Sequence, residues 1–296
     1  MKPNILFVNG GVKEFGNRFR QACEKRDINC TSIRTHNNSF IYANKQGYKY
    51  FHLGEEINLR NFDYCFIRVK GKFSHMTTLL SSILKFEKIQ FNDANNLHHT
   101  MNDEKITQMV KFACHKLPIP ETIIFSRISF RKNKEKILNM IKYPCVLKTN
   151  GSKGNAVWKI ESETELISKI KTITQDLMMV QEYLKNEYDV RALFMEDKLI
   201  GAIRRYSNDG FYNNVAKGGK SQKDDPTESE IELCQKAMKV LGLNFGGADF
   251  IRHGEDIIFF EINKGPQVYG LEEALGLDVS DILVEEIQNK FKLNNK

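Results

Sequence analysis

The chain has 296 residues, 41% hydrophobic and 27% charged, with a formal net charge of +7. That composition is ordinary for a soluble globular protein, and the length allows one large or two to three small domains with ample core. No apolar run reaches membrane-spanning length, and Met1-Lys2-Pro3 before a short strand is no signal peptide, so a cytoplasmic protein without a membrane partner is expected. Six cysteines (Cys23, Cys30, Cys65, Cys114, Cys145, Cys234) form no Cys-x-x-Cys pair, which argues against zinc and for free thiols in a reducing compartment. The basic excess favours an anionic partner, whether nucleotide, acidic peptide or nucleic acid, although part of it serves solubility. No arginine-rich or aromatic RNA-binding motif supports the last of these.

Residues 4–8 read as an apolar strand, followed by Asn9-Gly10-Gly11, a helix from Glu14 to Arg26 and a strand at Cys30-Thr31-Ser32-Ile33, an α/β opening. The Gly10-Gly11 pair lacks the third glycine and the acidic residue of a dinucleotide fingerprint. Phe40 to Leu59 reads as an extended loop or irregular hairpin. Phe62 to Val69 is a buried-type strand carrying Arg68 near its end, His75 to Lys85 a helix, and Ile89 to Asn92 another strand. Ligands of open α/β sheets sit beyond strand C-termini, which makes Arg68 and Lys70 candidate carboxylate contacts; an exposed basic loop weighs at least as much. A domain boundary falls near residue 96.

Asn102 or Asp103 caps a helix that runs through Lys116 and stops before Pro118-Ile119-Pro120. Tyr143 to Lys148 is a short strand ending in a lysine. The loop Thr149-Asn150-Gly151-Ser152-Lys153-Gly154 follows, and then a strand through Ile160. Glycines let backbone N–H groups close on phosphate oxygens, yet a hairpin loop with two glycines is common and this one is not a Walker loop. Leu177 to Leu184 is an apolar strand holding Gln181 and Glu182. In the strand Asp189 to Met195, Arg191 stands among apolar neighbours, where a charge is costly unless it meets an anion. Ile200 to Arg205 is its pairing strand. Thr227 to Leu241 is an amphipathic helix with Leu233, Ala237, Val240 and Leu241 inward.

From Gly246 to Ile262 the sequence reads as a hairpin turning at His253-Gly254-Glu255-Asp256. Glu261 and Asn263, two apart, point to one face, and Asp249 reaches it from the partner strand. Two carboxylates and an amide oxygen are hard ligands of the kind Mg²⁺ takes, with phosphate and water completing the shell. By itself the hairpin reads equally well as one whose polar residues face water.

The segment after it decides between these. Glu261, Asn263, Pro266, Gly270, Leu271 and Glu272 match the Glu-x-Asn-x-x-Pro-Gly-x-x-Gly-(Ile/Leu)-Glu ending of the ribosomal-protein glutamate ligase (RimK-like) branch of the ATP-grasp superfamily, which this chain resembles. Gln267 departs, standing where that branch has glycine. Glu104-Lys105 stands for its Asp-Lys, and Pro118-Ile119-Pro120-Glu121-Thr122 matches its Pro-x-Pro-x-Thr strand entry. Phe211 to Gly219 parallels its Phe-Arg-(Ser/Thr)-Asn-x-x-x-Gly-Gly loop, with Asn214 kept and Tyr212 in place of arginine.

The resemblance implies an ATP-grasp fold, α/β and α+β: an N-terminal α/β domain over 1–95, a central lobe over 96–184 and a C-terminal lobe over 185–296, the two lobes clasping ATP. It implies phosphate contacts at Lys105, Lys148 and Arg191, the latter two catalytic. Gly151, Ser152, Lys153 and Gly154 would form the phosphate-covering loop, and Asn214 would lie near the triphosphate. Glu182, Tyr183 and Leu184 would read the adenine, Glu187 or Asp189 the ribose, and Asp249, Glu261 and Asn263 would hold Mg²⁺ or Mn²⁺. Arg68, Arg204, Tyr212, Lys217 and Gln267 are the substrate-side candidates. The implied activity is ATP-dependent carboxylate–amine ligation through an acyl phosphate, on an amino acid or peptide, releasing ADP and phosphate. A ligase for a small metabolite and a nucleotide-binding regulator that kept the fold are the alternatives. Homo-oligomerisation stays open.

Overall fold

The computed structural model describes all residues except 1, 11–12, 35–38, 46, 69–73, 98–104, 150–155, 207–219, 255 and 295–296. Ile5, Leu6, Phe7 and Val8 are all fully buried because strand β1 (Asn4–Asn9) has core on both faces. Ile5 and Phe7 point to helix α1 (Lys13–Lys25), which buries Phe15, Phe19, Ala22 and Cys23; Leu6 and Val8 point the other way. β1 pairs in parallel with β2 (Asn29–Ile33). The expected irregular stretch that follows is instead a small antiparallel sheet, β3 (Ser39–Asn44), β4 (Gly47–His52) and β5 (Glu55–Ile57). Tyr50 and its neighbours Ile41, Tyr48 and Ile57 lay it over the second face of the parallel sheet. The parallel sheet is completed by β6 (Tyr64–Arg68), then α2 (Ser74–Phe86) and β7 (Gln90–Phe91), giving the order β2-β1-β6-β7.

Helix α3 (Lys105–Cys114) turns Ile106, Met109 and Phe112 inward. The central sheet follows: β8 (Thr122–Ser126), α4 (Arg127–Lys132), α5 (Lys134–Asn139), β9 (Cys145–Thr149), β10 (Val157–Ile160), α6 (Glu163–Thr172) and β11 (Leu177–Glu182). It is antiparallel in the order β10-β9-β11-β8, with the three helices on one face.

The last sheet comprises β12 (Tyr188–Met195), β13 (Lys198–Tyr206), β14 (Ser221–Asp224), β15 (Phe245–His253) and β16 (Asp256–Asn263), in the order β14-β13-β12-β15-β16. Before β15 runs α7 (Glu228–Leu241). Its start is fixed by the Thr227 capping box with Glu230, and its end by Gly242 in the left-handed region. Its buried line is Glu230, Cys234, Ala237, Met238 and Leu241, while the expected Leu233 and Val240 are only partly buried at its flanks. Gly254, at φ +64°, turns the β15–β16 hairpin. Helices α8 (Tyr269–Leu275) and α9 (Val279–Asn294) close the chain.

Two features tie the ends of the chain together. Phe7, Phe19 and Phe66 stack at 4.3–5.4 Å between neighbouring rings, and Phe66 meets Phe245 of β15 edge-on at 5.6 Å, so the first and last sheets share one core with Leu283 and Ile287 of α9. Asp93, just after β7, accepts the backbone N–H groups of Asn244 (2.7 Å) and Phe245 (2.9 Å). No helix among the described residues is long and apolar enough to cross a membrane.

Candidate active site

Strand registry, rather than any one motif, assembles the site. Arg191 on β12 stands opposite Asp249 on β15, which stands opposite Glu261 on β16. One step along the same face, Gly247 stands opposite Asn263; on the other side Asp189 stands opposite Arg205 of β13. The alternate residues Val190, Ala192, Ala248 and Phe250 face away, onto α3 and α7. The lower half of the polar face is apolar again, with Leu193, Met195 and Ile203 in the core shared with the N-terminal sheet. The charged row is therefore confined to one end of one face.

Within that row every charge is matched. Arg191 donates to both oxygens of Asp249, at 2.7 and 2.5 Å. Arg205, buried, donates to both oxygens of Asp189 at 2.6 and 2.8 Å and lies 3.1 Å from Asp249. Lys105, from the first turn of α3, pairs with Glu261. Asn263 donates to Asp249 (3.0 Å) and Glu261 (2.8 Å), holding the two carboxylates together. Burial would raise Asp249, but the guanidiniums of Arg191 and Arg205 hold it below the usual carboxylate range. Burial works against Glu261 in the same way, and Lys105 and Asn263 hold it low although Asp249 opposes them. Both are carboxylates at neutral pH. Asp189 is pushed up to about 6 by burial, against the pull of Arg205.

Lys148 comes from the central sheet. It sits one residue beyond Leu147, on the face of β9 opposite the helices, and its ammonium lies 5.2 Å from the ring centroid of Phe260. Phe260 is the extra residue of a bulge, since Asp249 pairs with Glu261 but Phe250 with Phe259. Burial, then the neighbouring Lys105, push the Lys148 amine down to about 7, with Glu261 opposing.

Two residues that the sequence reading did not single out position this cluster. Gln108 of α3, one turn after Lys105, accepts from Ile262 N–H (2.8 Å) and donates to Ile262 C=O (3.0 Å), fixing β16 between Glu261 and Asn263. Arg205 holds Asp189 and Asp249. The signals were available in part: Gln108 lies i+3 from Lys105 on an apolar helix face, and Arg205 lies in the strand paired with that of Asp189. The matched ending has structural roles too. Gly247 lies under Pro266, where a Cβ would come 3.1 Å from the Pro266 Cβ and 3.6 Å from Arg191 Cδ. Glu272 accepts both guanidinium nitrogens of Arg18 at 2.8 Å.

Other expected positions lie apart. Glu182 ends β11 with its carboxylate accepting the Glu121 N–H at 2.9 Å. Tyr183 stacks under the Lys159 ammonium at 4.6 Å, Leu184 is half-buried and Glu187 exposed. Asp189 is turned into the Arg205 pair, leaving Glu187 the exposed acid of the two. Arg204 faces the opposite side of its strand, pairing with Asp224 at 2.5 Å. Gln267 is exposed. Arg68 is buried, 4.1 Å from the Phe15 ring and donating to Pro266 C=O at 2.8 Å; burial lowers it to about 10. Lys70, Gly151, Ser152, Lys153, Gly154, Tyr212, Asn214 and Lys217 lie outside the described residues.

Asp249, Glu261 and Asn263 fit a hard divalent cation in kind and in convergence, because one amide touches both carboxylates; turned over, that amide presents its oxygen. Among the described residues no cluster of three or more His, Cys, Asp or Glu side chains makes a metal site, so a cation here needs further oxygens from a ligand and water.

The profile of the RimK-like ATP-grasp domain matches residues 102–287. The chain belongs to that family. Two relatives extend the match: the tetrahydromethanopterin:alpha-L-glutamate ligase of Methanocaldococcus jannaschii is 27% identical over 240 residues, 77% of this chain and 80% of its own length. A probable alpha-L-glutamate ligase of Vibrio cholerae serotype O1 is 28% identical over 296 residues, 97% of this chain and 95% of its own. Solved structures agree on the fold. The ATP-grasp ligase PsnB, in complex with a minimal precursor, Mg and ADP, superposes with TM-score 0.71 at 16% identity over 96% of both chains. The D-alanine–D-alanine ligase of Bacillus anthracis, complexed with ATP, superposes with TM-score 0.69 at 14% identity over 99% of both. This RimK-like protein is an ATP-dependent ligase that joins a carboxylate to an amine.

Proposed function

We propose that this RimK-like ligase uses Mg-ATP to convert a substrate carboxylate to an acyl phosphate. That transfer of the γ-phosphoryl group leaves ADP, and the amine of a second substrate then attacks the acyl carbon, forming an amide and expelling phosphate. The observation that carries the reading is the matched row Lys105–Glu261–Asn263–Asp249–Arg191 with Lys148 above it, in which cations and carboxylates neutralise each other pairwise. Mg²⁺, or Mn²⁺, bound to Asp249, Glu261 and Asn263 would supply charge at the β- and γ-phosphates. Lys105, Lys148 and Arg191 would be set against phosphate oxygens, with Lys105 and Arg191 exchanging their present carboxylate partners for phosphate as the cation takes those carboxylates. Buried Arg205 keeps Asp249 ionised and in place. Glu182, Tyr183 and Leu184 are the adenine side of the reading and Glu187 the ribose side. Gly151 to Gly154 and Asn214 enter by resemblance only.

Arg68 is the candidate for a substrate carboxylate, since it is buried beside the Pro266 loop with its Nε unpartnered. Two relatives are named alpha-L-glutamate ligases, which makes glutamate the first amino acid to test. The reading divides the chain at 95/96 and 184/185. Each of the three large sheets lies within one segment, while α3 of the second packs into the core of the third. It also places the protein in a reducing cytoplasm, where the six cysteines, all free, stay reduced.

The test is ADP release with Mg-ATP, glutamate and a pool of carboxylate-bearing peptides, with product mass read out. A mass gain of one glutamate, reduced about 10²-fold or more by Glu261→Ala, is expected. Full turnover in Glu261→Ala, or no ATP binding by the wild type, sinks the reading; tight ATP binding without turnover on any pool favours a regulator.

A further inference from the structure

Away from the active site, the helix-covered face of the central sheet holds a second feature. Cys145 and Leu147 of β9 point into the core beneath α4, α5 and α6, the side opposite Lys148. Between these helices lies a cavity of about 360 Å³, open to solvent on one side. That volume is within the roughly 300–1,000 Å³ of ordinary ligand pockets. Its floor is apolar, made by Phe130, Ile167 and Ile170, and its rim is basic: Arg127, Arg131, Lys134 and Lys171.

The rim cations are not equivalent. Arg127 is committed to the protein, its guanidinium donating to the C=O of Ile173 and, at 3.3 Å, of Gln175. Arg131, Lys134 and Lys171 have no hydrogen-bond or ion-pair partner among the described residues. Cations in the last turns of α4 and α6 suit the helix dipoles. That accounts for Arg131 and Lys171 individually, but not for the cavity between them, whose floor holds the largely buried Phe130 and Ile170 and the partly exposed Ile167, or for Lys134 at the start of α5.

We propose that this cavity binds an acidic peptide segment. One aliphatic or aromatic side chain enters between Phe130, Ile167 and Ile170, and flanking carboxylates pair with Arg131, Lys134 and Lys171. The three free cations stand on three different helices at the rim of the cavity. Carboxylates spaced along a chain match that distribution, whereas one small anion would leave most of it unpaired. The proposal rests on the ligase reading only in taking a peptide as one reactant, of which this site would hold a part remote from the reacting group.

The experiment is fluorescence anisotropy of a labelled Glu-Glu-Phe-Glu-Glu peptide titrated with the full chain in the absence of nucleotide. The comparison protein is the Arg131→Glu/Lys134→Glu double variant, the comparison peptide carries Ser for Phe, and octanoate and inorganic phosphate serve as competitors. Expected are binding to the wild type that raised salt weakens, a loss of about tenfold or more in the variant, and a weaker Ser peptide. Unchanged Mg-ATP affinity in the variant would show its nucleotide site intact. No binding to the wild type, or equal binding to both proteins, overturns the proposal; octanoate binding in place of peptide overturns it in favour of a small anionic amphiphile. Peptide binding without ADP release would defeat the ligase reading alone, and ligation without binding here would defeat this one alone.

Discussion

Asp249 accepts from Arg191, Arg205 and Asn263, and its surroundings show how a nearly dry site keeps a carboxylate charged. Desolvation penalises each member singly, and only the reciprocal array offsets it. Arg205 is the member with two carboxylates to hold. Arg205→Met should therefore destabilise the fold by about 3–5 kcal/mol, seen as a lower urea midpoint, because Asp189 is left buried and unpaired. Adding Asp189→Asn should recover part of that loss; a double variant as unstable as the sum of the singles would show that the two do not act as a pair. Lys148 gives a pH prediction. Its amine, lowered to about 7, is mostly neutral at pH 8 in the free protein, and a polyphosphate favours the ammonium. ATP binding should then take up a proton above pH 7 and weaken by up to about tenfold per pH unit, with no such uptake at pH 6 where the amine is already charged. Calorimetry in buffers of different ionisation enthalpy reads the uptake, and Lys148→Arg should remove it.

At the scale of elements, the site depends on the position of β16, which is an edge strand. Gln108 satisfies the backbone groups of Ile262 on that edge, so Gln108→Leu leaves a buried donor and acceptor without partners, at roughly 1–3 kcal/mol each. Loss of Mg-ATP affinity should exceed what the fall in stability explains, since Glu261 and Asn263 flank the freed residue; equal affinity in a folded variant would count against the positioning role. Gly247→Ala tests the other strand: a Cβ there displaces the Pro266 loop, and turnover should fall while helix content stays unchanged by circular dichroism. Most elements were legible. The apolar runs at β1, β6 and β15 mark strands, and Thr227 with Glu230 marks a helix start. The small sheet at β3–β5 was not, because its outer face carries exposed Phe40 and Tyr42, which blurs the alternation of a half-buried strand. For α7, Ala237 and Leu241 face inward as expected, while Leu233 and Val240 sit at the edge of the stripe, whose centre runs through Cys234 and Met238.

For the whole molecule, the first and last parts of the chain are one folding problem. Phe66 meets Phe245, Arg26 pairs with Asp281 at 2.5 Å, and Arg18 pairs with Glu272 of the matched ending. A fragment of residues 96–296 would expose Met195, Phe245, Leu283 and Ile287 to water. Expressed alone it should aggregate or bind a hydrophobic dye strongly, and co-expression of residues 1–95 should restore a soluble complex. A monomeric, cooperatively melting fragment would disprove the shared core.

The sequence by itself determined the family and the convergence of Asp249, Glu261 and Asn263, because these lie within one hairpin whose two-residue period fixes their common face. It also required an anion for Arg191, since a guanidinium among apolar residues needs one. It did not say which anion. Only the tertiary structure decided that Asp249 answers Arg191, that Arg205 holds both Asp249 and Asp189, that Gln108 pins β16, and that Arg204 turns to the other face of its strand. Those are pairings between separate strands or between helix and strand, set by registry and packing. Local periodicity carries no record of the residue that will stand opposite.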